Sequence, residues 1–310
     1  MSAPSLRTFV VVNPESAAGS TRRSWDLIAR TLGRSVGSFE HGFTDAPGRA
    51  TALARKALAA GFEHIVSVGG DGTANEVACG FFDGTRPTAP HAILGLIPRG
   101  TGRDLTRTLY GGGTLEEACA RMAGRDARTI DVGHVSFVGH DGADAERVFL
   151  NVLSLGIGGA VVHALQAGAK RMGGKLAFMM TTARVLYAYR DQPVTVGFDG
   201  GPPEHLVVTN VAVCNGRYFG GGMKVAPAAE LDDGVFDVTI WSGIRFRDFI
   251  LSQRSLYDGT HTDAPYTKVL RARRVEATST ATVLLDVDGE AAGRLPIRAE
   301  ILPRVLRVKA

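Results

Sequence analysis

The sequence is poor in the features that mark specialised environments. Cysteine occurs only 3 times in 310 residues, at Cys79, Cys119 and Cys214, far apart and in apolar contexts. An odd, sparse set without metal spacing excludes a disulfide framework and reads as reduced packing residues. The 8 histidines show no His-Glu-x-x-His or other metal spacing, which argues against zinc chemistry. No Gly-x-Ser-x-Gly elbow occurs, so serine hydrolysis has no support. Long hydrophobic runs are missing as well. The longest, Val148 to Val162, is about half glycine, small and polar residues and is too short to span a bilayer. Met1-Ser2-Ala3-Pro4 leads into a strand with no basic n-region or secretory h-region. The expectation is a cytoplasmic protein, with peripheral contact at the inner membrane surface left open. There is no internal repeat and no low-complexity linker. The arginines are scattered and no RNA- or DNA-binding motif is present, so nucleic acid is not an expected partner.

What remains is the composition of an ordinary globular protein, 45% hydrophobic and 21% charged. At 310 residues two domains are the natural expectation. A net charge of +4 and a pI near 9.1 suit an anionic ligand such as a nucleotide, or an acidic membrane surface.

The chain is organised around His64 to Val77, where the apolar, β-branched run Ile65-Val66-Ser67-Val68 stops in Gly69-Gly70-Asp71-Gly72. A helix-compatible segment, Thr73 to Phe82, follows at once. Strand, glycine turn and helix N-terminus in that order make an anion site from backbone alone. An acid inside such a loop would repel bare phosphate, so Asp71 reads better beside a divalent cation. A tight strand-to-helix turn with no ligand is the alternative.

On either side the pattern repeats. Strands at Phe9–Val12 and Ile93–Ile97 end in loops at Asn13-Pro14 and Pro98-Arg99-Gly100-Thr101-Gly102, and helical patterns follow from Trp25, over Arg49 to Ala60 and over Leu115 to Met122. Alternating strands and helices predict a parallel sheet covered on both faces, a three-layer α/β domain with its ligand loops at the strands' C-terminal ends. From Thr129-Ile130-Asp131 onward, short runs with partial alternation, Val148–Leu153 among them, read as strands and predict a mainly antiparallel β-domain. One long helical insertion is expected at about Gly159 to Tyr189, and a second helix over Phe246 to Tyr257. The domains are therefore 1–130, with about 300–310 returning to it, and 131–299. Asp131 reads as a hinge or as an active-site acid.

Laid out in this way, the sequence resembles the diacylglycerol kinase catalytic-domain family, soluble bacterial lipid kinases related to sphingosine and ceramide kinases. The resemblance rests on five blocks in order. They are Val11-Val12-Asn13-Pro14, Gly69-Gly70-Asp71-Gly72-Thr73 with Asn75-Glu76, and Pro98 to Asp104. The fourth runs from Asn215 to Gly222 and on through Ala226-Pro227 to Leu231-Asp232-Asp233-Gly234, and the last is Asp288-Gly289-Glu290. Two departures stand out: Ala17 and Ala18 occupy a loop that is glycine-richer in the family, and Arg103 replaces the usual Asn.

The resemblance implies a two-domain ATP- and Mg²⁺-dependent kinase with a β-sandwich-like second domain. Its acceptor would be the hydroxyl of diacylglycerol or a similar amphiphilic alcohol. Asn13, Thr44, Gly70, Gly72, Thr73, Gly100 and Thr101 would hold the nucleotide phosphates. Asp71, supported by Asp104, would organise Mg²⁺ or its waters, and Glu290 would accept the hydroxyl proton. Asp233, with Asp232 beside it, would hold a structural Mg²⁺. The bland alternatives are a helix N-cap for Asp104, an exposed turn acid for Glu290 and a hairpin turn for Asp232-Asp233-Gly234. An NAD kinase-like enzyme and a nucleotide-binding regulator without catalysis are the competing functions. A homodimer is compatible with the sequence. Basic residues beside apolar ones at Lys170, Arg171 and Lys175, and at Arg245, Arg247 and Arg254, are candidates for contact with an anionic membrane.

Overall fold

The computed structural model describes residues 6–100, 102–168, 175–244, 247–248 and 253–309. The first domain is built on four parallel strands, β1 (Thr8–Val12), β2 (Phe39–Phe43), β3 (His64–Gly69) and β6 (Ile93–Pro98), in the order β6-β3-β1-β2. A two-strand ribbon, β4 (Phe82–Asp83) and β5 (Arg86–Pro87), lies between β3 and β6 in sequence. Helices α1 (Ser20–Arg23), α2 (Trp25–Val36), α3 (Arg49–Ala59), α4 (Asp71–Cys79), α5 (Asp104–Tyr110) and α6 (Leu115–Arg121) connect the strands. On α2 the residues Ile28, Leu32 and Val36 recur at i, i+4 and i+8 and are buried against Val10, Val66 and Met122. On the other face α3 presents Ala50, Ala54 and Ala57 to the core that also holds Ala74 and Val77 of α4. These small side chains let the two helices approach closely.

Register explains how the site forms. Val12 pairs with both Phe43 and Val68, and Gly69 pairs with Pro98, so four strands end level. The loops that follow them share one edge of the sheet.

The second domain is mainly antiparallel. It contains β7 (Arg128–Gly139), β8 (Asp144–Phe149), β9 (Val152–Gly156), β10 (Gln192–Phe198), β11 (Glu204–Val208), β12 (Asn210–Cys214), β13 (Phe236–Trp241), β14 (Thr267–Ala272), β15 (Arg274–Thr278), β16 (Leu284–Val287) and β17 (Glu290–Val308). Its core lies between these strands and includes Phe149, Leu155, Val213, Phe236, Leu285 and Ile297. The final strand is long and bent. It pairs antiparallel with β16, β15 and β7, and at Arg307 and Val308 it pairs parallel with Ile93 and Leu94 of β6. Among the described residues the two domains thus share one 15-stranded sheet.

Three local expectations are revised. The helix after the glycine turn begins at Asp71 rather than Thr73, so the acid belongs to its first turn. The apolar run from Val148 to Leu153 is not one strand, because β8 stops at Phe149 and β9 starts at Val152. The intervening Leu150 and Asn151 turn their N–H groups to the carboxylate of Asp288 instead of to a neighbouring strand. The single long insertion is two helices, α7 (Ile157–Gly168) and α8 (Lys175–Ala188). Of the second expected helix, Phe246, Phe249, Ile250 and Leu251 lie outside the described residues, and a short helix covers Gln253–Asp258.

Candidate active site

Four loops meet at the N-terminus of α4. The N–H of Asn13 donates to Val68 O at 2.9 Å and its Nδ2 to Thr73 Oγ1 at 2.9 Å, which ties the loop after β1 to the glycine turn. The N–H of Thr44 donates to Val12 O at 2.9 Å, and the N–H of Arg99 to Gly69 O at 2.6 Å. At Gly100 a Cβ would come within 3.1 Å of Gly70 Cα. Asn13, Thr44, Gly70, Gly72, Thr73 and Gly100 are therefore brought together, while Thr101 lies outside the described residues. The first N–H groups of α4 have no acceptor within the helix, so this junction is a place for anionic oxygens.

Two glycines leave room for close approach by acidic side chains. At Gly72 a Cβ would sit 2.6 Å from Glu290 Oε1, and at Gly102 it would sit 2.4 Å from Asp71 Oδ2. The same contacts show that Glu290 reaches α4 from the second domain, and that Asp71 faces the loop after β6.

The acids are held by different partners. Asp71 Oδ2 accepts from the N–H of Asp104 at 3.3 Å. Burial, and then the charge of Asp104, push the pKa of Asp71 up to about 6. Asp104 is not the cap of its helix. That position is Arg103, in the left-handed region at φ +56, and Asp104 follows it as the first helical residue. Its carboxylate instead bridges the domains, because Oδ1 takes Arg107 Nη1 at 2.6 Å and Oδ2 takes the N–H of Gly221 at 2.8 Å. Burial raises its pKa, and the Gly221 N–H and Arg107 oppose the rise. Glu290 lies 3.4 Å from Arg147 Nη1. Burial raises its pKa too, against the pull of Arg147.

Asp288, legible in the sequence only as part of a motif, is the anchor of this arrangement. With Gly289 it forms the two-residue turn between β16 and β17, at φ +51 and +89, the mirror-image geometry that Asp-Gly favours. Its buried carboxylate accepts from the N–H groups of Leu150 (2.7 Å), Asn151 (2.9 Å) and Val152 (2.9 Å) and from Asn75 Nδ2 (2.8 Å). The turn that carries Glu290 is thereby locked to α4. Arg147 is a further residue that the sequence motifs miss. It bonds Asn75 Oδ1 on one side and Glu290 on the other. The only sequence signal for it is a guanidinium placed directly before the apolar run Val148-Phe149-Leu150.

Asp131, which the sequence left between hinge and acid, is a fastener. It is fully buried and accepts from the N–H of Gly234 and of Arg304, each at 2.7 Å, where β17 bulges against β7. Asp232 and Asp233 are engaged by cations. Asp232 takes Arg128 through Nη2 at 2.8 Å and Nε at 3.3 Å, and Asp233 pairs with Arg271. Mg²⁺ there would have to compete with these guanidinium groups, and no group of three His, Cys, Asp or Glu residues is placed to hold a metal among the described residues. Asp71 fits differently, because the group bonded to its carboxylate is the N–H of Asp104 and not a guanidinium, while Asp104 beside it shares its carboxylate with Arg107 and Gly221. The two acids are buried neighbours on the phosphate loops, and Mg²⁺ commonly takes one or two carboxylates and completes its shell with phosphate and water.

The loop after β1 carries backbone strain. Ala17 (φ +53) and Ala18 (φ +55) precede Gly19 (φ +74), all in the left-handed region. For alanine that conformation costs roughly 1–2 kcal/mol, while glycine carries a larger entropy loss on folding. Ala18→Gly is expected to stabilise the protein by a net ~0.5–1 kcal/mol in urea unfolding, and an unchanged or lower midpoint would contradict this loop geometry.

Two cavities flank α4. One, of about 480 Å³, is the more polar of the two, and its lining includes Thr51, Glu76, His134, Arg147 and Glu290 beside Phe82 and Val148. The other, of about 290 Å³, is walled by apolar side chains that include Val161, Leu186, Met223, Trp241 and Leu256. Its polar end is formed by Asp71, Asp104, Asp286 and Asp288. Glu290, which lines the first cavity, and Asp71, which lines the second, both reach the first turn of α4.

Comparison with known proteins places this arrangement. Residues 7–135 match the diacylglycerol kinase catalytic domain, and residues 151–310 match the YegS C-terminal NAD kinase beta sandwich-like domain. A diacylglycerol kinase of Bacillus subtilis (strain 168) is 27% identical over 94% of this chain and 91% of its own length. A protein of Xanthomonas oryzae pv. oryzae named as a YegS-like lipid kinase is 30% identical over 84% of this chain and 83% of its own. The crystal structure of a diacylglycerol kinase candidate from Bacillus anthracis str. Sterne superposes with a TM-score of 0.80 at 22% identity, covering 100% of this chain and 96% of that one.

Proposed function

Because the chain belongs to the diacylglycerol kinase catalytic-domain family, we propose that it transfers the γ-phosphate of ATP to the hydroxyl of diacylglycerol or a similar amphiphilic alcohol, with Mg²⁺. The observation that carries this reading is the pair of cavities on either side of α4, one polar and one apolar, with the acids between them. ATP suits the polar cavity and the four loops, whose backbone N–H groups and hydroxyls meet phosphate oxygens. The apolar cavity suits a hydrocarbon chain whose hydroxyl end lies at Asp71 and Asp288. Bound Mg²⁺, held by Asp71 directly or through its waters, with Asp104 in support, would neutralise charge on the phosphates.

Glu290 is the proposed proton acceptor. It reaches the phosphate loop across Gly72, and Arg147 orients it. A carboxylate need only take the proton as the oxygen–phosphorus bond forms, and a pKa raised by burial makes it a better base. An NAD kinase-like activity is less well supported, since the ribose hydroxyl of a dinucleotide would place polar surface against apolar walls.

No helix among the described residues is long and apolar enough to cross a membrane. The acceptor would therefore be drawn from a bilayer surface. The helices that carry Leu186 and Leu256 are suited to drawing it in. Leu186 and Leu256 line the apolar cavity, while Tyr187 (76% exposed) and Tyr257 (36%) beside them face outward. Lys170, Arg171 and Arg245 lie outside the described residues, as does the side chain of Lys175.

The test is transfer of radiolabelled γ-phosphate over a panel of lipid alcohols in neutral and anionic vesicles, with NAD included. Label is expected in an organic-soluble product, more with anionic vesicles, and Glu290→Gln is expected to lower kcat by roughly 10²-fold or more with the fold retained. Label in NAD phosphate, or in no lipid, would overturn the assignment. Near-wild-type turnover in folded Glu290→Gln would remove the proton-acceptor role alone.

A further inference from the structure

The wall of the apolar cavity contains three buried polar atoms with no hydrogen-bond partner: Asn151 Oδ1, Trp241 Nε1 and Asp286 Oδ2. Such atoms are costly inside a protein, and in a cavity they mark what a ligand must supply. Trp241 packs with Val152, Met223 and Leu256 on the hydrocarbon side. Asp286 is at the other end, on β16 two residues before Asp288. Its neighbours Leu285 and Val287 turn into the core of the second domain, so by strand alternation Asp286 faces the other way, opposite Ser154 of β9 and toward the first turn of α7.

Asp286 is 0% exposed, and Oδ1 accepts the N–H of Gly289 at 2.7 Å. No salt bridge involves it among the described residues. Burial drives its pKa well above the carboxylate range, the charges of Asp288 and Glu290 add to the rise, and the Gly289 N–H and Arg147 oppose it. Burial therefore favours the protonated acid, and Oδ2 has no hydrogen-bond partner among the described residues.

On the reading of the chain as a lipid kinase, we propose that Asp286 is a specificity-determining residue for the acceptor, donating its Oδ2–H to a carbonyl oxygen of an acyl ester or amide close to the hydroxyl that is phosphorylated. The geometry favours this partner. Asp286 lies next to the Asp288-Gly289 turn, where the reacting hydroxyl must come, and its unpartnered Oδ2 belongs to the lining of a cavity whose remaining walls are mainly apolar. An alcohol with a hydrocarbon chain alone leaves the O–H unpaired. One with a carbonyl a few bonds from the hydroxyl satisfies it, and such a site rejects the analogue that lacks the partner far more strongly than a purely apolar pocket could.

The experiment compares dioctanoylglycerol with its dialkyl ether analogue, which keeps the hydroxyl and chain length but has no carbonyl. The full chain is expected to prefer the ester by roughly 10²-fold in kcat/KM. Asp286→Asn, whose amide N–H also donates, should keep the preference within a few-fold. Asp286→Leu, which also leaves the Gly289 N–H without its acceptor, should lower turnover of the ester far more than that of the ether, so that the ester-to-ether ratio falls to near one. Equal use of ester and ether by the wild type overturns the role of Asp286 and leaves the kinase assignment standing. Loss of ester activity in Asp286→Asn as deep as in Asp286→Leu overturns the donor role, because it would mean that charge, not the O–H, is read. Transfer to neither lipid removes the kinase premise and this inference with it. Should Asp286→Leu fail to fold, the wild-type ester-to-ether ratio and its retention in Asp286→Asn decide the matter.

Discussion

Asp71→Asn is expected to lose roughly 10²–10³-fold in kcat and yet to be more stable than the wild type at pH 7 by about 2 kcal/mol. Both effects have one origin. Asp71 is an acid placed beside Asp104 in a buried site, and its pKa of about 6 records the cost of holding that charge without a cation. In the unfolded chain the group titrates near 3.8. The folded state therefore binds the proton more tightly, so stability is highest below pH ~4 and is lost as pH rises through about 6. The full shift corresponds to about 3 kcal/mol, and partial solvation through the cavity reduces it toward 2. Asn keeps the shape, accepts the Asp104 N–H and carries no charge. Melting curves of the two proteins should differ at pH 7 and converge near pH 4. Addition of MgATP should raise the wild-type melting temperature more than that of the variant, since only the wild type gains a counter-ion for its acid. Parallel pH dependence of melting in the two proteins would show that Asp71 is not strained by its setting.

The largest effect on stability is expected at Asp288. Asp288→Ala removes the acceptor of three backbone N–H groups and of Asn75, all buried. Unpaired buried donors cost about 1–3 kcal/mol each, and relaxation recovers part of this, so a loss of roughly 3–5 kcal/mol is expected. For a domain stable by about 5–15 kcal/mol that is a large fraction. The urea midpoint should fall steeply. Asp45→Ala, at a 78% exposed side chain with one long ion pair to Arg49, should move it by less than about 0.5 kcal/mol. A loss below 1 kcal/mol in Asp288→Ala would show that the four hydrogen bonds do not hold the Glu290 turn to α4.

Much of the framework is legible in order along the chain. The β-branched run before Gly69 forms a strand because both of its faces are buried, and the glycines after it leave no side chain to keep Asp71 and Glu290 away. The turn at Asp288-Gly289 obeys a local rule as well, since few other residue pairs tolerate positive φ at both positions. Alternating strands and helices, followed by strands without helices, are enough to separate a parallel half from an antiparallel one. These features obey short-range rules, in which a residue's backbone preference or its period of two or 3.6 decides the outcome.

Tertiary structure decided which acids work together. Asp71, Asp104, Asp232, Asp233, Asp286, Asp288 and Glu290 are alike on paper. They differ only in what the fold places against each: Asp71 against Asp104, Asp232 against Arg128, Asp233 against Arg271, and Asp288 against three backbone N–H groups and an asparagine 213 residues away. Such meetings leave no trace in local periodicity, because a side chain's pairing depends on register, on strand bulges and on which loops end level at the sheet edge. The same holds for the two cavities. Their walls come from α7, α8 and the second-domain strands on one side and from α3, α4 and β8 on the other, and no single segment carries the pattern of either. An acid's charge is written in the sequence, but its cost, its pKa and its partner are set by the groups that close around it.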